Sequence, residues 1–332
     1  MTKNNIHIFP LGFPWQTKNP FLFCAYHQDF YPKGNGTFGP VSGLEGRDLG
    51  SDFTIKDGYR MYHGTSVPGF PSHPHCGFET ITIVNKGYCD HSDSLGASAR
   101  FGEGDVQWMT AGAGVQHSEM FPLVNTDSEN PLELFQIWLN LPKKNKFVPP
   151  HFAMHWHEDI PITTSGEARV KVIAGTFNSA KALAPAPNSW ASVAENEIAI
   201  LDISIQENGT ITLPRVPLGI DRVIYFFDGE TINIAQETIP INHGVELLNE
   251  HKITITAGEK PVRILVLQGK PIEEPVAKYG PFVMNTQDEI ETVIQNFQLT
   301  QFGGWPWRHN DPVHEEATGR FARYPDGTET YK

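Results

Sequence analysis

Apolar and polar residues alternate at a period of two over many short stretches of this chain, and the helical period appears once. Phe78-Glu-Thr-Ile-Thr-Ile-Val84 is alternating and rich in β-branched residues, and Leu132-Glu-Leu-Phe-Gln-Ile-Trp-Leu139 alternates too. Both predict strands, because successive side chains on a strand point to opposite faces. Asn85-Lys-Gly87, Gly102-Glu-Gly-Asp105 and Ala111-Gly-Ala-Gly114 supply turns between strands. A second block of strands is predicted over 168–177, 198–205, 223–227 and 262–267. The helical exception lies near the end. Thr286-Gln-Asp-Glu289 has the spacing of a capping box, and Ile290, Val293, Ile294 and Phe297 make an i, i+3, i+4, i+7 stripe behind it. The pattern predicts an all-β protein with a short C-terminal helix.

A length of 332 residues favours two hydrophobic cores over one. The pattern divides into a first β domain over 1–145, a linker over 146–165, a second β domain over 166–275, and a helix and tail over 276–332. The tail from Gly303 is expected to pack partly and then fray. The formal charge of -13 argues against nucleic acid and anionic membranes, both of which need basic patches. Residues 1–10 lack the apolar stretch of a secretory signal, and no run is long enough to cross a bilayer. Cys24, Cys76 and Cys89 are too few and odd in number for a disulfide framework. A reducing cytoplasm is the expected compartment, and Cys76 reads as a small buried filler.

Two short pairs carry candidate chemistry: His73-Pro-His75 and His117-Ser-Glu119. Residues i and i+2 of a strand share a face, so each pair can point one way. If the two strands are neighbours, three imidazoles and one carboxylate converge. That set suits a first-row divalent metal, with Fe2+ the first choice and Mn, Co, Ni, Cu or Zn also accommodated. On an octahedral ion it leaves two positions for substrate and dioxygen. Glu79 lies four residues beyond His75 and could share the ligand face; it is expected to orient a ligand imidazole or water instead. His91 reads as a structural strand histidine, Trp108 and Phe78 as core, and His155-Trp-His157 as a second pair without a matching partner.

These stretches resemble a known family. Ser72-His-Pro-His-Cys-Gly-Phe-Glu-Thr80, Asp90-His-Ser-Asp-Ser-Leu-Gly96 and the run Gly104-Asp-Val-Gln-Trp-Met-Thr-Ala-Gly-Ala-Gly-Val-Gln-His-Ser-Glu119 are similar to the pirin signature, and Tyr279-Gly-Pro-Phe-Val-Met-Asn-Thr286 is similar to its C-terminal pattern. Pirins belong to the cupin superfamily. The resemblance implies a bicupin: two antiparallel, jelly-roll-like β-barrels, with one metal ion in the N-terminal barrel held by His73, His75, His117 and Glu119. It implies a quercetin 2,3-dioxygenase activity, with a flavonol-type aromatic and O2 as substrates, Glu119 as general base, and a monomeric protein. The rival expectation within the family is a metal- or redox-sensing regulator that binds other proteins without catalysis. Two departures are visible. Cys76 stands where pirins commonly carry a basic residue, and the stretch Ser94–Arg100 lacks the usual Asn after its Gly.

Overall fold

The computed structural model describes residues 6–247 and 252–332. Strands dominate, and the α-helix Gln287–Thr300 is the exception. The described chain divides into two compact units. One holds residues 6–25, 138–140 and 158–273, and the other holds 26–137, 141–157 and 274–332. Among the described residues no helix is long and apolar enough to cross a membrane.

The first unit is built on a seven-stranded antiparallel sheet in the order Ile6–Pro10, His243–Leu247, Asp221–Asp228, Val262–Gly269, Ala199–Ile205, Ala168–Ala174, Ile162–Ser165. A four-stranded sheet, Thr210–Leu213, Ile253–Ala257, Thr231–Ile234, Glu237–Pro240, accompanies it. Its core is aliphatic: Val170, Val172, Ile203, Ile224, Ile255 and Ile264 are all fully buried.

The second unit carries a five-stranded sheet in the order His151–His155, Asp105–Thr110, Phe78–Lys86, Asn130–Asn140, Phe21–Tyr31. Its six-stranded sheet runs Glu329–Tyr331, Phe321–Arg323, Ser98–Gly102, Tyr88–Asp93, Val115–Met120, Gly69–His75. In each unit the strands form two main antiparallel sheets and a small two-stranded one, not one closed barrel. The all-β class is as expected, as is a single α-helix among the described residues. Thr286 caps that helix with the reciprocal box to Glu289, and Ile290 and Val293 are buried against Phe282 and Met284.

The units are interleaved in sequence, where contiguous blocks were expected. Ile6–Pro10 pairs with His243–Leu247, and Ile6 and Ile8 pack on the aliphatic core. The stretch read as a linker contains the strand His151–His155, paired with Asp105–Thr110. The tail pairs as well: Phe321–Arg323 lies against Ser98–Gly102, and Glu329–Tyr331 folds back on it. Each of these strands is 3–5 residues long, too short to declare itself by periodicity when prolines or polar residues flank it.

Candidate metal centre

The strand Gly69–His75 is the outermost of its sheet, where the prolines Pro71 and Pro74 remove fewer ladder hydrogen bonds than they would at its centre. It runs antiparallel to Val115–Met120 with His73 directly opposite His117. Cross-strand partners share a face. The two-residue spacing then brings His75 and Glu119 to that face as well. Ring centroids lie 4.5 Å apart for His73 and His117, 4.9 Å for His75 and His117, and 4.8 Å for His73 and His75. One ring nitrogen from each imidazole lies within 4.8 Å of the other two.

The protonation pattern suits metal binding. His73 Nδ1 is 2.9 Å from Pro71 O. A carbonyl only accepts, so Nδ1 carries the proton and Nε2 keeps its lone pair. His117 is fully buried, yet neither ring nitrogen has a hydrogen-bond partner. Buried polar atoms are rarely left so, and a bound cation would satisfy one of the two. Burial pushes the His73 pKa down to about 4. Burial, then the neighbouring imidazoles, hold His75 and His117 well below the ordinary value. The three rings are therefore neutral ligands at neutral pH, and the donor set fits a divalent ion.

Glu119 stands slightly apart. Its Oε2 is 3.7 Å from His117 Nε2, and it is not among the three closely grouped donors. Thr82 Oγ1 lies 3.0 Å from Glu119 Oε1, and Gln136 Nε2 donates to Oε2 at 3.0 Å. Burial raises the carboxyl pKa, against the opposing pull of His91 and of these two hydrogen bonds. Thr82 and Gln136 escaped the sequence reading. The only signal was a polar residue within a largely apolar strand.

His91 comes closer to the centre than a structural reading expects. It lies directly opposite Glu119 on the adjacent strand, with its ring 5.5 Å from His117 and its Nε2 3.2 Å from Asp93 Oδ2. Glu79 accepts from Trp108 Nε1 at 3.2 Å and Thr110 Oγ1 at 2.8 Å. By strand alternation it faces away from Thr82, so it sits on the side of its sheet opposite Glu119. Trp108 and Phe78 are buried, as expected of core. Cys76 is a buried thiol 3.2 Å from Gly112 O, and burial pushes its pKa up to about 12. Of the second histidine pair, His155 is buried near Trp108, while His157 Nδ1 lies 2.9 Å from the Arg320 guanidinium. Arg320 also binds Asp105 at 2.8 Å, so a cation already occupies that carboxylate.

An aromatic approach leads toward His73. Phe70 lies 6.3 Å from the His73 ring, 5.8 Å from His63 and 6.3 Å from Phe53, which is exposed. Aromatic rings therefore adjoin His73, the half-buried member of the three imidazoles.

Comparison with known proteins agrees with this geometry. The Pirin family model matches residues 38–139, and the model for the pirin C-terminal cupin domain matches residues 200–303. A Pseudomonas aeruginosa protein named "Putative quercetin 2,3-dioxygenase" is 37% identical over 235 residues, covering 70% of this chain and 79% of the relative. A pirin-like protein of Solanum lycopersicum is 33% identical over 71% of this chain and 77% of its own length. The crystal structure of a quercetin 2,3-dioxygenase from Acinetobacter baumannii superposes with a TM-score of 0.70 at 29% identity, covering 90% of this chain and 96% of that one. With two cupin-type domains, matches to both family models and the three-histidine cluster at the signature positions, the chain belongs to the pirin family of the cupin superfamily.

Proposed function

We propose that this pirin is a metal-dependent dioxygenase of the quercetin 2,3-dioxygenase type, with His73, His75, His117 and Glu119 as the metal ligands and Fe2+ as the ion. The observation that carries this reading is the buried, neutral imidazole triad with the unpartnered His117 at its centre. The names of the similar proteins support the substrate class. Bound there, the metal would act as a Lewis acid that lowers the pKa of a chelated hydroxyl. The overall reaction consumes a flavonol and O2, breaks the C2–C3 and C3–C4 bonds, and releases C3 as carbon monoxide and the remainder as a depside.

The residues of the chain would hold and move the substrate proton. Glu119 is the general base, and its surroundings suit both charge states. Thr82 Oγ1 lies 3.0 Å from Glu119 Oε1 and 2.5 Å from Gln136 Oε1. A hydroxyl has one hydrogen. When Glu119 is ionised, Thr82 donates to it; when Glu119 has taken the proton, it donates to Thr82, which turns its hydrogen to Gln136. Phe70 and Phe53 would cover the rings of the substrate and exclude water. The three cysteines are buried and free, in keeping with a cytoplasmic setting.

Metal content and quercetin consumption, measured on one sample, test the proposal. The expected result is about one ion per chain, as for a single-site metalloprotein, with turnover that needs it. The double variant H73A/H75A should lose both. Metal retained in that variant refutes the ligand set; a full metal complement without flavonol turnover under any divalent ion refutes the dioxygenase.

A further inference from the structure

Behind the metal centre lies a second set of buried polar atoms that the proposed reaction does not use. Gln107 is fully buried on the strand Asp105–Thr110, and neither its Oε1 nor its Nε2 has a hydrogen-bond partner. His91 is fully buried too, and its Nδ1 has no partner. The tautomer of His91 follows from its other nitrogen. Nε2 faces the Asp93 carboxylate at 3.2 Å, and Asp93 Oδ1 accepts the backbone N–H groups of Leu95 and Ala97. A carboxylate so placed is an acceptor, so Nε2 carries the proton and Nδ1 presents a bare lone pair.

Both groups face the same interior. Gln107 is the direct cross-strand partner of Thr82 and of Met154, so it shares a face with the hydroxyl that holds Glu119. Phe152, two residues from Met154, is on that face as well and stacks on His91 at 5.1 Å. From the facing sheet His91 stands directly opposite Glu119. Two donor-acceptor groups from two sheets therefore converge beside the carboxylate. The neighbouring amide, Gln136, is tied to Glu119 and Thr82. Orphaned polar groups in a native interior call for a specific reason, and a ligand that completes them is one.

We propose that Gln107 and His91 are substrate-positioning residues that hydrogen-bond the oxygen functions of a polyhydroxylated aromatic held at the metal centre. His91 Nδ1 accepts from a phenolic O–H; the Gln107 amide donates to a phenolic or phenolate oxygen and accepts from a second hydroxyl. The proposal rests on the flavonol reading above and adds to it the residues that read hydroxylation. Removing either side chain weakens binding of the hydroxylated ring without emptying the metal site.

The test uses the full-length, metal-loaded protein under nitrogen, with quercetin as the hydroxylated probe and unsubstituted flavone as the control. Gln107→Leu should raise the quercetin Kd about tenfold, a net loss of about 1.4 kcal/mol in hydrogen bonding. It should leave flavone binding and metal content unchanged and should not lower the melting temperature, because an unsatisfied amide is replaced by an apolar group of similar shape. His91→Phe, which keeps the stack on Phe152, should weaken quercetin to a similar degree. If that variant loses metal or fails to fold, Gln107→Leu decides alone. Equal quercetin affinity in Gln107→Leu and the parent overturns the positioning role while leaving the flavonol reading intact, as does a Gln107→Leu protein that melts lower with unchanged affinity, the mark of a structural water. Absence of quercetin binding to the parent overturns both.

Discussion

The two β units share a two-sheet construction and differ in what points inward. In the unit built from residues 6–25 and 158–273, the inward positions are Val, Ile and Leu, with Phe177 and Phe226 among them. Each such side chain stabilises the fold as apolar area leaves water, at about 25 cal/mol per Å2. In the site-bearing unit the corresponding interior holds Thr82, His91, Gln107, His117 and Glu119, all at or below 5% exposure. Inward polar groups on four strands cannot contribute in that way, and Gln107 and His117 have no hydrogen-bond partner. The site-bearing unit keeps an apolar cluster as well, with Tyr31, Phe101, Phe121, Leu134 and Phe152 in it, so it divides its interior between cohesion and chemistry. Polar interiors are tolerated where hydrogen bonds or a ligand complete them, and here a ligand's place is left among them.

The largest expected difference lies in core truncation. Ile264→Ala in the aliphatic unit opens a cavity among fully buried neighbours and should cost about 2–5 kcal/mol. Thr82→Val in the site-bearing unit keeps the volume and removes a hydroxyl. It should cost about 1–3 kcal/mol, the penalty of leaving buried hydrogen-bond partners unsatisfied, while loosening Glu119, with metal affinity falling about 10–100-fold as for other lost partners of a metal ligand. Urea unfolding and competitive metal titration of the two variants read both quantities. A Thr82→Val protein destabilised as strongly as Ile264→Ala would dissolve the contrast.

Acid should act on the site-bearing unit next. His27 is buried there with Nδ1 2.7 Å from Tyr62 Oη, and burial followed by the Arg60 charge lowers its pKa to about 3. Below the ordinary value of about 6.5 the unfolded chain takes up a proton that the folded chain refuses until about pH 3, so stability falls as pH drops through that window. Between pH 7 and pH 5 the loss from this residue is about 2 kcal/mol. His27→Gln should remove most of that loss, seen as a smaller shift of the urea midpoint between the two pH values. An unchanged shift would place the acid sensitivity elsewhere.

How much of this was legible beforehand follows from the range of each signal. His73, His75, His117 and Glu119 could be paired because a two-residue spacing fixes a shared face, and strand adjacency was the one added assumption; the His73–His117 register supplies it. The capping box at Thr286 is local and was readable in full. Gln107, Thr82 and Gln136 were invisible as a group. Their roles depend on which strand lies opposite which, and three separate sequence segments meet there. The same limit hid the pairing of Ile6–Pro10 with His243–Leu247, partners more than two hundred residues apart. His91 showed its histidine but not its neighbour Glu119 for the same reason.

The smallest effect concerns the smaller of two apolar clusters in the site-bearing unit, the one beneath its helix. Helix Gln287–Thr300 packs Ile290 and Val293 against Phe282, Met284 and Cys76. Cys76 follows the ligand His75 directly, and its backbone is pinned on both sides, donating to Pro281 O at 3.3 Å and accepting from Val283 N at 3.0 Å. Thr286→Ala removes the side chain that accepts the Glu289 N–H and should cost about 1 kcal/mol of helix stability. In a unit of this size that is a fall of about 2–4 °C in melting temperature. The backbone pairs at Cys76 do not pass through the cap, so metal affinity should stay at the parent value. A Thr286→Ala variant that also lost metal would show that the helix, and not the strand register, holds His75 in place, and the line between cohesive and chemical regions of the site-bearing unit would then disappear.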